Sequence, residues 1–380
     1  MSPELRILWQ AAAAPVAEQD AHRLAGLDTP ALCEAARVRR DHAWGRTLTF
    51  SPKVFLPITN LCRNRCDYCS FRRSPGDPGE WTMSPAEIRA WLSRAREQSC
   101  IEALFCLGDT PETGFREYQA LLHSWGHERT VDYLRWAAEQ ALAEGLLPHT
   151  NAGILSREDM LKLRPVNVSL GLMLESVSER LREKGMPHHK APDKRPARRI
   201  QMTREAGELR IPFTSGLLIG IGETLEERVD TLLVIRRIQR EYGHIQEVII
   251  QNFRAHPSTP MGSVAEPTED DLAAAVALAR LILDDDVSVQ APPNLSPAST
   301  KALIDAGIND FGGISPVSPD YINPLHPWPH LEELAEVCSA TGFDLQPRLP
   351  LYTSHLATNE FVDPSLRPRV AELQTGLGPR

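Results

Sequence analysis

The chain has 380 residues, of which 41 are Lys or Arg and 50 are Asp or Glu, so its formal net charge is -9. A chain this acidic lacks the concentrated basic face that phosphate backbones and anionic membranes attract, which argues against nucleic acid and membranes as partners. The length favours one large α/β unit with appendages over two independent enzymes. The hydrophobic fraction of 42% is that of a globular protein and excludes wholesale disorder.

The N-terminal segment carries Glu4, Glu18 and Asp20 and has no basic region that leads into an apolar stretch, so it does not resemble a secretory signal. No stretch approaches the roughly 18 apolar residues that a membrane span needs. The 7 cysteines are an odd number spread over a long chain, which argues against a disulfide framework and for a reducing compartment. We therefore expect a cytoplasmic protein.

Residues 1–50 are predicted to form an N-terminal helical extension. From residue 51, short β-rich runs alternate with longer helical stretches, which is the pattern of parallel βαβ units. The predicted strands are Lys53–Ile58, Glu102–Leu107, Leu147–Asn151, Val166–Met173, Pro212–Ile219, Gln246–Asn252, Val287–Ala291 and Ile308–Phe311. Eight such units favour an α/β fold of the (β/α)8 TIM-barrel type over residues 51–342. Residues 343–380 are expected to wrap around the outside as a C-terminal extension whose end is disordered.

Helix starts can be located between the predicted strands. Ser84, Pro85 and Glu87 have the spacing of a capping box with proline in the first turn, which predicts a helix to about Gln98. Ser156, followed by acidic residues, predicts a second start. Apolar residues at helical spacing predict a third helix over Glu223–Tyr242.

Polar and glycine-rich segments follow the predicted strands. In barrels of this kind the catalytic and binding side chains come from the carboxyl ends of the strands, so these segments predict one active face. After the first strand comes a cluster of cysteines. The later strand ends carry Gly108, Asp109, Asn151, Glu175, Gly220, Gly222, Glu223, Gln251, Asn252, Gln290, Asn294 and Asp310.

Cys62, Cys66 and Cys69 have the spacing CxxxCxxC in a predicted loop. A short loop can fold three thiolates around one 4Fe-4S cubane, each on a different iron, and this leaves the fourth iron open. One alternative is a zinc site with a distant fourth ligand, but no second cysteine or histidine knuckle is visible. The other is a ferredoxin-like electron carrier, which would need a fourth cysteine.

The cysteine loop, with the aromatic Tyr68 directly before its last cysteine, resembles the signature of the radical S-adenosylmethionine (SAM) enzymes. The resemblance implies a 4Fe-4S cluster whose open iron is chelated by the amino and carboxylate groups of SAM. It implies that one electron cleaves SAM to methionine and a 5′-deoxyadenosyl radical, which takes a hydrogen atom from the substrate. It also implies a flavodoxin- or ferredoxin-type electron donor.

The other motifs of that family have counterparts in order behind the loop. The nucleotide-binding alternative for the glycines fails, because no GxGxxG run follows the first strand. The resemblance therefore assigns cofactor binding to Tyr68, Gly108, Asp109, Asn151, Glu175, Gly220, Gly222 and Glu223.

The resemblance continues over roughly residues 50 to 350. The segments CRNRCDYCSFRRSPGDPGEWTMSP, ALFCLGDTPE, TSGLLIGIGET, IIQNFRAHPSTPM, VQAPPNLSP and GINDFGGISPVSPDYINP are similar to those of the ring-closing subunits of 7,8-didemethyl-8-hydroxy-5-deazariboflavin synthases. This implies a carbon–nitrogen lyase of coenzyme F-420 biosynthesis, with a tyrosine-adding radical SAM enzyme as functional partner. The alternatives are that tyrosine-adding enzyme itself, or a radical SAM barrel enzyme of menaquinone or biotin type.

The implied substrate is 5-amino-5-(4-hydroxybenzyl)-6-(D-ribitylimino)-5,6-dihydrouracil, an adduct of tyrosine and a ribitylaminouracil that would close its ring and release ammonia. This molecule is neutral and rich in hydroxyl, imide and phenol groups, so we expect amide and carboxylate side chains to bind it. The candidate substrate-binding residues are Gln251, Asn252, Gln290, Asn294, Asp310 and Asp320. Glu175 and Asp310 are also the candidate catalytic residues. The basic run His188–Arg199 is interpreted as a solvated loop that leads into a helix.

Overall fold

The computed structural model describes residues 2–358 and 360–377. In this part of the chain, eight parallel strands close into a barrel, and a ninth strand joins the sheet beside the first. The strands are β1 (Thr47–Thr59), β2 (Glu102–Leu107), β3 (Leu147–Asn151), β4 (Ser169–Gly171), β5 (Phe213–Ile219), β6 (Ile245–Asn252), β7 (Ser288–Gln290), β8 (Asp310–Ile314) and β9 (Asp344–Pro347). The predicted TIM-type (β/α)8 fold is confirmed.

Helices precede, surround and follow the barrel. They are α1 (Pro3–Ala13), α2 (Ala21–Ala25), α3 (Thr29–Trp44), α4 (Pro85–Glu97), α5 (Pro111–Gly114), α6 (Arg116–Ser124), α7 (Thr130–Ala143), α8 (Arg157–Leu163), α9 (Pro196–Glu208), α10 (Leu225–Tyr242), α11 (Glu269–Ile282), α12 (Thr300–Asp305), α13 (Leu331–Ala340), α14 (Thr353–Leu356) and α15 (Arg367–Gly376). Among the described residues, no helix combines the length and the apolar character that crossing a membrane requires.

Local sequence determines several helix starts. Ser84 caps α4 in a capping box with Glu87, and Ser156 caps α8 in the same way, so both predicted starts are confirmed. The helix predicted from Glu223 begins at Leu225, because Thr224 is its N-cap residue.

Successive side chains of each barrel strand point alternately to the core under the helices and to the barrel interior. On β1, Val54 and Leu56 pack into the core with Ile88 and Leu92 of α4. Because side chains alternate along a strand, Lys53 and its next odd-numbered neighbours on β1 point into the barrel. The inward-facing positions near the carboxyl ends of the strands therefore surround one space.

The C-terminal segment differs from the prediction. β9 pairs with the start of β1, and Arg348 and Tyr352 are buried in the floor of the barrel, which is its amino-terminal end. Arg348 enters the interior because the carboxylates there need a buried cation. The expected outer wrap is therefore wrong for this stretch. α15 lies within the end that was predicted to be disordered, and residues 378–380 are outside the described residues.

Candidate functional site

A cavity of about 330 Å³ opens at the carboxyl ends of the strands, and we call it the mouth cavity. Its walls come from the cysteine loop after β1, from most of the strand ends and from the loop after β8. The predicted site residues that line it are Cys62, Cys66, Tyr68, Cys69, Gly108, Asp109, Asn151, Glu175, Gln251 and Asn252. The cavity thus brings the three cysteines and the candidate cofactor residues of β2 to β4 together.

The cysteine loop is folded by its own backbone. The amide of Cys62 donates to the carbonyl of Arg73 at 3.2 Å, and the amide of Cys69 donates to the carbonyl of Cys66 at 3.1 Å. Burial raises the pKa of the Cys62 and Cys66 thiols to about 12 each. Thiols with such pKa values stay protonated at neutral pH unless a metal takes the place of the proton.

The donor set fits an iron–sulfur cluster better than a single metal ion. Across residues 2–358 and 360–377, no group of three or more His, Cys, Asp or Glu side chains surrounds a single-ion position. A cubane binds each cysteine through a different iron, so its ligands are spread around a larger object. The backbone N–H of Asp109 points at the Sγ of Cys62 at 3.1 Å, which favours the thiolate form. The three thiols would therefore hold a 4Fe-4S cluster.

Gly108 allows β2 to approach the cysteine loop. A Cβ at this position would collide with the carbonyl oxygen of Leu61 and would lie 2.6 Å from the Cβ of Cys62. Any larger residue would push the loop away from the end of β2. Gly108 thus shapes the wall of the cluster site.

The carboxylate of Asp109 is occupied by protein groups. It accepts hydrogen bonds from the Nδ2 of Asn64 at 3.1 Å and from the amide of Ile154 at 3.0 Å. Burial raises the pKa of Asp109, although the Arg199 guanidinium lies 3.7 Å away and opposes that shift. The side chain therefore braces the cysteine loop against β3, and the backbone carbonyl of Asp109 also contacts that loop by accepting from the amide of Arg63 at 3.3 Å.

Glu175 lies in the cavity wall just after β4 in a conformation that L-residues rarely adopt. Its φ angle is 65°, in the left-handed region, and its amide donates to the carbonyl of Gly216 at 3.0 Å. Its carboxylate forms an ion pair with Lys194, which also lines the cavity. Backbone strain of this kind costs about 1–3 kcal/mol and is concentrated at functional sites.

The basic run His188–Arg199 is part of the site, so its interpretation as a solvated loop is wrong. Lys194 and Arg199 line the mouth cavity, and Asp193 is fully buried. Arg63 of the cysteine loop binds both carboxylate oxygens of Asp193, at 2.7 and 2.5 Å. Sequence reasoning missed these residues because their partners are distant along the chain. The signal available in the sequence is the single aspartate, Asp193, among the basic residues of this run.

Tyr68 and His188 form a hydrogen-bonded aromatic pair. The Tyr68 hydroxyl and the His188 Nε2 are 2.9 Å apart. Burial lowers the pKa of His188 to about 2 and raises that of Tyr68, so both rings are neutral at pH 7. Tyr68 also packs against the apolar cluster that contains Leu218 and Phe253, and these two residues line the same cavity. The result is an apolar slot that can accept a flat base.

The turn after β5 does not reach the cavity wall. Glu223 accepts hydrogen bonds from the amides of Gly220 and Ile221, at 2.8 and 2.9 Å, and pairs with Arg228. Gly220 and Gly222 have φ angles of 88° and 104°. These residues therefore fix the turn that follows Leu218, and both carboxylate oxygens of Glu223 accept hydrogen bonds from protein groups.

Gln251 and Asn252 are the last two residues of β6 and lie in the cavity wall. The Nδ2 of Asn252 donates to the Oγ of Ser296 at 3.1 Å, while its buried Oδ1 has no partner among the described residues. The backbone of Gln251 is paired with β5, whereas its side-chain amide forms no hydrogen bond with the part of the chain that is described and is therefore available to a ligand.

Asn294 and Asp320 hold the loop after β8 instead of lining the cavity. The Nδ2 of Asn294 donates to Asp320 at 2.9 Å, and Asp320 accepts from the amides of Ile322 and Asn323. Asn323 and His326 of this loop do line the cavity. Asn294 and Asp320 thus act on the site through the loop that they shape.

Asp310 begins β8 instead of ending it, because the strand continues to Ile314. It lies in the barrel floor, where Arg348 donates to it at 2.5 and 2.8 Å and to Glu247 at 2.7 Å. Gln290 pairs with Asp310 in the sheet register and is buried. The structure brings neither residue to the mouth cavity.

Comparison with known proteins adds to this geometry. Residues 56–235 match the Radical SAM superfamily. The 7,8-didemethyl-8-hydroxy-5-deazariboflavin synthase of Methanopyrus kandleri is 47% identical over 310 residues, which cover 81% of this chain and 92% of that protein. The same enzyme of Methanothermobacter thermautotrophicus is 44% identical over 326 residues, which cover 86% and 98%.

A longer relative matches over part of its length. The FO synthase of Mycobacterium tuberculosis is 46% identical over 367 residues, which cover 91% of this chain. The match covers only 43% of that enzyme, so this chain spans less than half of it.

Solved structures agree on the fold. The FeFe-hydrogenase maturase HydG from Carboxydothermus hydrogenoformans superposes with a TM-score of 0.73 at 18% identity, covering 97% of this chain and 81% of the maturase. Methylornithine synthase superposes with a TM-score of 0.67 at 16% identity, covering 89% and 97%. At these identities the likeness concerns the barrel alone. The cysteine loop, the match to the superfamily and the near full-length relatives together identify the chain: it is a radical SAM enzyme and belongs to the 7,8-didemethyl-8-hydroxy-5-deazariboflavin (FO) synthase family.

Proposed function

We propose that this enzyme catalyses the ring-closing second step of FO synthesis. The substrates are 5-amino-5-(4-hydroxybenzyl)-6-(D-ribitylimino)-5,6-dihydrouracil and SAM, and the products are 7,8-didemethyl-8-hydroxy-5-deazariboflavin, ammonia, a proton, methionine and 5′-deoxyadenosine. SAM is thus the two-electron oxidant of the ring closure, and the loss of ammonia makes the enzyme a carbon–nitrogen lyase. The observation that carries the proposal is the opening of the three-cysteine loop onto a cavity with free amide side chains. Two relatives named for this synthase match over 92% and 98% of their own length, which supports the assignment.

The three thiolates of Cys62, Cys66 and Cys69 would hold a 4Fe-4S cluster and leave its fourth iron to SAM. When bound, the cluster and SAM supply a 5′-deoxyadenosyl radical, which removes a hydrogen atom from the substrate. The remaining work belongs to the protein. Tyr68 offers the nucleoside an apolar slot, and the Glu175 carboxylate offers an acceptor to an amino or hydroxyl group.

The polar wall of the cavity suits a neutral substrate. Gln251 has a free side-chain amide, and Asn252, which lines the same cavity, has a buried Oδ1 with no partner among the described residues. Asn323 adds a third amide from the loop after β8. Amide groups donate and accept at once, so they can bind imide and ribityl hydroxyl groups without a charged clamp.

An external protein must deliver the electron, and we propose a flavodoxin- or ferredoxin-type donor. Arg65 and Lys190 are exposed on the outer face of the cysteine loop, where the amide of Arg65 donates to the carbonyl of Lys190 at 2.9 Å. The neighbouring Arg63 and Lys194 form ion pairs, whereas the Arg65 and Lys190 side chains form none with the described residues. This basic surface favours an acidic partner even though the chain as a whole is acidic.

Anaerobic reconstitution tests the proposal. The protein is loaded with iron and sulfide and then given dithionite, SAM and the tyrosine–ribitylaminouracil adduct. We expect 5′-deoxyadenosine and the fluorescent deazaflavin. Cys66→Ala should abolish both products, whereas Cys33→Ala, which changes a half-buried cysteine outside the loop, should retain both. Cleavage of SAM by Cys66→Ala at the wild-type rate would contradict the proposal.

The partial match to the longer FO synthase keeps the tyrosine-adding step as a second candidate, because that enzyme has room for a second activity. Free tyrosine and the ribitylaminouracil, supplied without any partner protein, distinguish the two steps. Consumption of tyrosine would assign the first step to this chain. Under our proposal tyrosine is untouched, and the tyrosine-adding radical SAM enzyme is the functional partner that supplies the adduct.

A further inference from the structure

Lys53 is a buried ammonium just below the mouth cavity. It lies on β1 and is only 7% exposed. Its neighbours Val54 and Leu56 pack under the helices, so Lys53 and Phe55 point into the barrel. Phe55 and its cross-strand partner Leu104 line the cavity, and Lys53 is one inward-facing position deeper.

This ammonium has no acceptor within the described residues. Its closest partners are two aromatic faces: Nζ is 4.7 Å from the ring centre of Trp328 and 5.2 Å from that of Phe55. Cation–π contacts compensate only part of the cost of taking an ammonium out of water. Buried cations in proteins are normally paired with an acceptor, so the site lacks one.

The nearby carboxylates do not provide that acceptor. Glu102 is the cross-strand neighbour of Lys53, yet no ion pair forms between them. Asp320 is close enough to influence Lys53, but its oxygens accept from Asn294, Ile322 and Asn323. Burial lowers the pKa of Lys53, which agrees with an incomplete environment.

The walls around Lys53 are aromatic and firmly held. Tyr321 contacts Phe55 with ring centres 6.3 Å apart. Ser318 fastens two sides of this space: its Oγ accepts from the amide of Phe55 at 2.8 Å, and its carbonyl accepts from the indole of Trp328 at 3.1 Å. Of these residues only Phe55 lines the mouth cavity, so a flat ring that carries one oxygen would meet the single cation by entering from the cavity past Phe55.

We propose that Lys53, Phe55, Trp328 and Tyr321 form a subsite for the hydroxyphenyl group of the substrate, with the phenolic oxygen accepting a hydrogen bond from the Lys53 ammonium. The inference rests on the proposed function for the identity of that group. The distribution of polar groups supports the same placement. The side-chain amides of Gln251 and of Asn323 in the loop after β8 line the mouth cavity, so the uracil and ribityl groups would stay there while the phenol ring enters the subsite.

The test uses simple probes, so that it does not depend on the deazaflavin reaction. Binding of 4-methylphenol and of toluene to the reconstituted, SAM-loaded protein is measured at equilibrium, because 4-methylphenol is neutral at pH 7 like the hydroxyphenyl group of the substrate. Lys53→Met should weaken 4-methylphenol binding by about 10- to 100-fold, the effect of losing one hydrogen bond to a charged group, and leave toluene binding unchanged. Lys53→Arg should retain most of the selectivity for the phenol. Equal effects on both probes, or none, would overturn the subsite.

A second variant leaves Lys53 in the chain. A Cβ at Gly313 would lie 2.7 Å from the Cε and Nζ of Lys53, so Gly313→Ala should displace the ammonium and reduce phenol selectivity as well. If Lys53 served only to neutralise Glu102, then Glu102→Gln would restore wild-type selectivity to Lys53→Met, which would also overturn the subsite. Phenol selectivity without turnover of the adduct would keep the subsite and reject the proposed function.

Discussion

The carboxylate of Glu175 and the ammonium of Lys194 form an ion pair in the wall of the mouth cavity. Both residues lie in the long connection between β4 and α9, Glu175 near its start and Lys194 near its end, so the pair ties the two ends of this connection together. Both side chains are largely buried, and Glu175 has the left-handed φ angle of 65°. This combination of strain and buried charge marks the pair as part of the site.

We predict that Glu175→Gln lowers both the stability of the fold and the affinity for SAM, and that a second change at Lys194 restores only the stability. The change leaves the Lys194 ammonium without its carboxylate, which should lower the free energy of unfolding by about 3 kcal/mol. The double variant Glu175→Gln/Lys194→Met should recover much of that loss but should still bind SAM weakly. Urea unfolding and equilibrium binding of SAM measure the two effects. Glu179→Gln, which changes an exposed ion pair with Arg182, is the matched control.

The ion pairs in the barrel floor are predicted to stabilise the fold without acting on the cofactor. Arg348→Met would leave Glu247 and Asp310 buried without a cation and should cost about 3–5 kcal/mol in the free energy of unfolding. The triple variant Glu247→Gln/Asp310→Asn/Arg348→Met should restore most of the lost free energy of unfolding. Denaturant unfolding measures this change.

Asp310→Asn separately tests the catalytic role expected from the sequence. Because Asp310 lies in the floor, this variant should bind SAM within about twofold of the wild type, as expected for independent sites. A large loss of SAM cleavage with unchanged stability would instead return Asp310 to the catalytic machinery.

Local patterns account for what the sequence predicted well. The capping box at Ser84 and the spacing of Cys62, Cys66 and Cys69 involve neighbours in the chain, so they can be identified before the fold is known. The strand positions could be predicted for the same reason, because β-rich runs are bounded by turn residues. β2 and β3 have the predicted bounds.

Long-range contacts account for what it missed. Lys194 and Arg199 enter the cavity because Asp193 is bound by Arg63, a partner that no local pattern reveals. Asp310 was placed at the wrong end of β8 because the strand runs three residues beyond Phe311, through two glycines that weaken the strand pattern. A small error in a strand boundary thus moved a carboxylate from the floor to the mouth.

Buried histidines predict loss of stability in mild acid. Burial lowers the pKa of His149 and His355 to about 4 and that of His244 to about 3, whereas an unfolded histidine has a pKa of about 6.5. Below pH about 6.5 the unfolded chain therefore binds protons that the folded chain does not, so stability falls as the pH falls. Each histidine contributes up to about 1.4 kcal/mol per pH unit.

His244→Gln should reduce the slope of the free energy of unfolding against pH, by an amount that corresponds to at most one bound proton. The side chain is fully buried and its Nε2 donates to the carbonyl of Thr203 at 2.9 Å, a contact that an amide can reproduce. Urea unfolding between pH 7 and 5 gives the slope. The exposed His123→Gln is the control variant, and an unchanged slope in His244→Gln would contradict the assignment.

Charge reversal at Arg65 and Lys190 is predicted to slow electron delivery alone. Both side chains are exposed beside the cysteine loop, so Arg65→Glu and Lys190→Glu replace attraction for an acidic carrier by repulsion. With a flavodoxin as donor at low salt, we expect 5′-deoxyadenosine formation to slow by about tenfold or more. Rising ionic strength should slow the wild type and narrow the difference.

Dithionite as the reductant distinguishes a defect in donor docking from damage to the cluster site. It is small and needs no protein surface, so both variants should match the wild type when it replaces the flavodoxin, and their iron content should be unchanged. Arg6→Glu, a reversal on the exposed face of α1, should keep the wild-type rate with either reductant. If both variants lose activity equally with dithionite, then Arg65 and Lys190 support the loop itself. If neither loses activity with flavodoxin, the donor approaches from another side, because one exposed charge close to the cysteines would otherwise be felt across a Debye length.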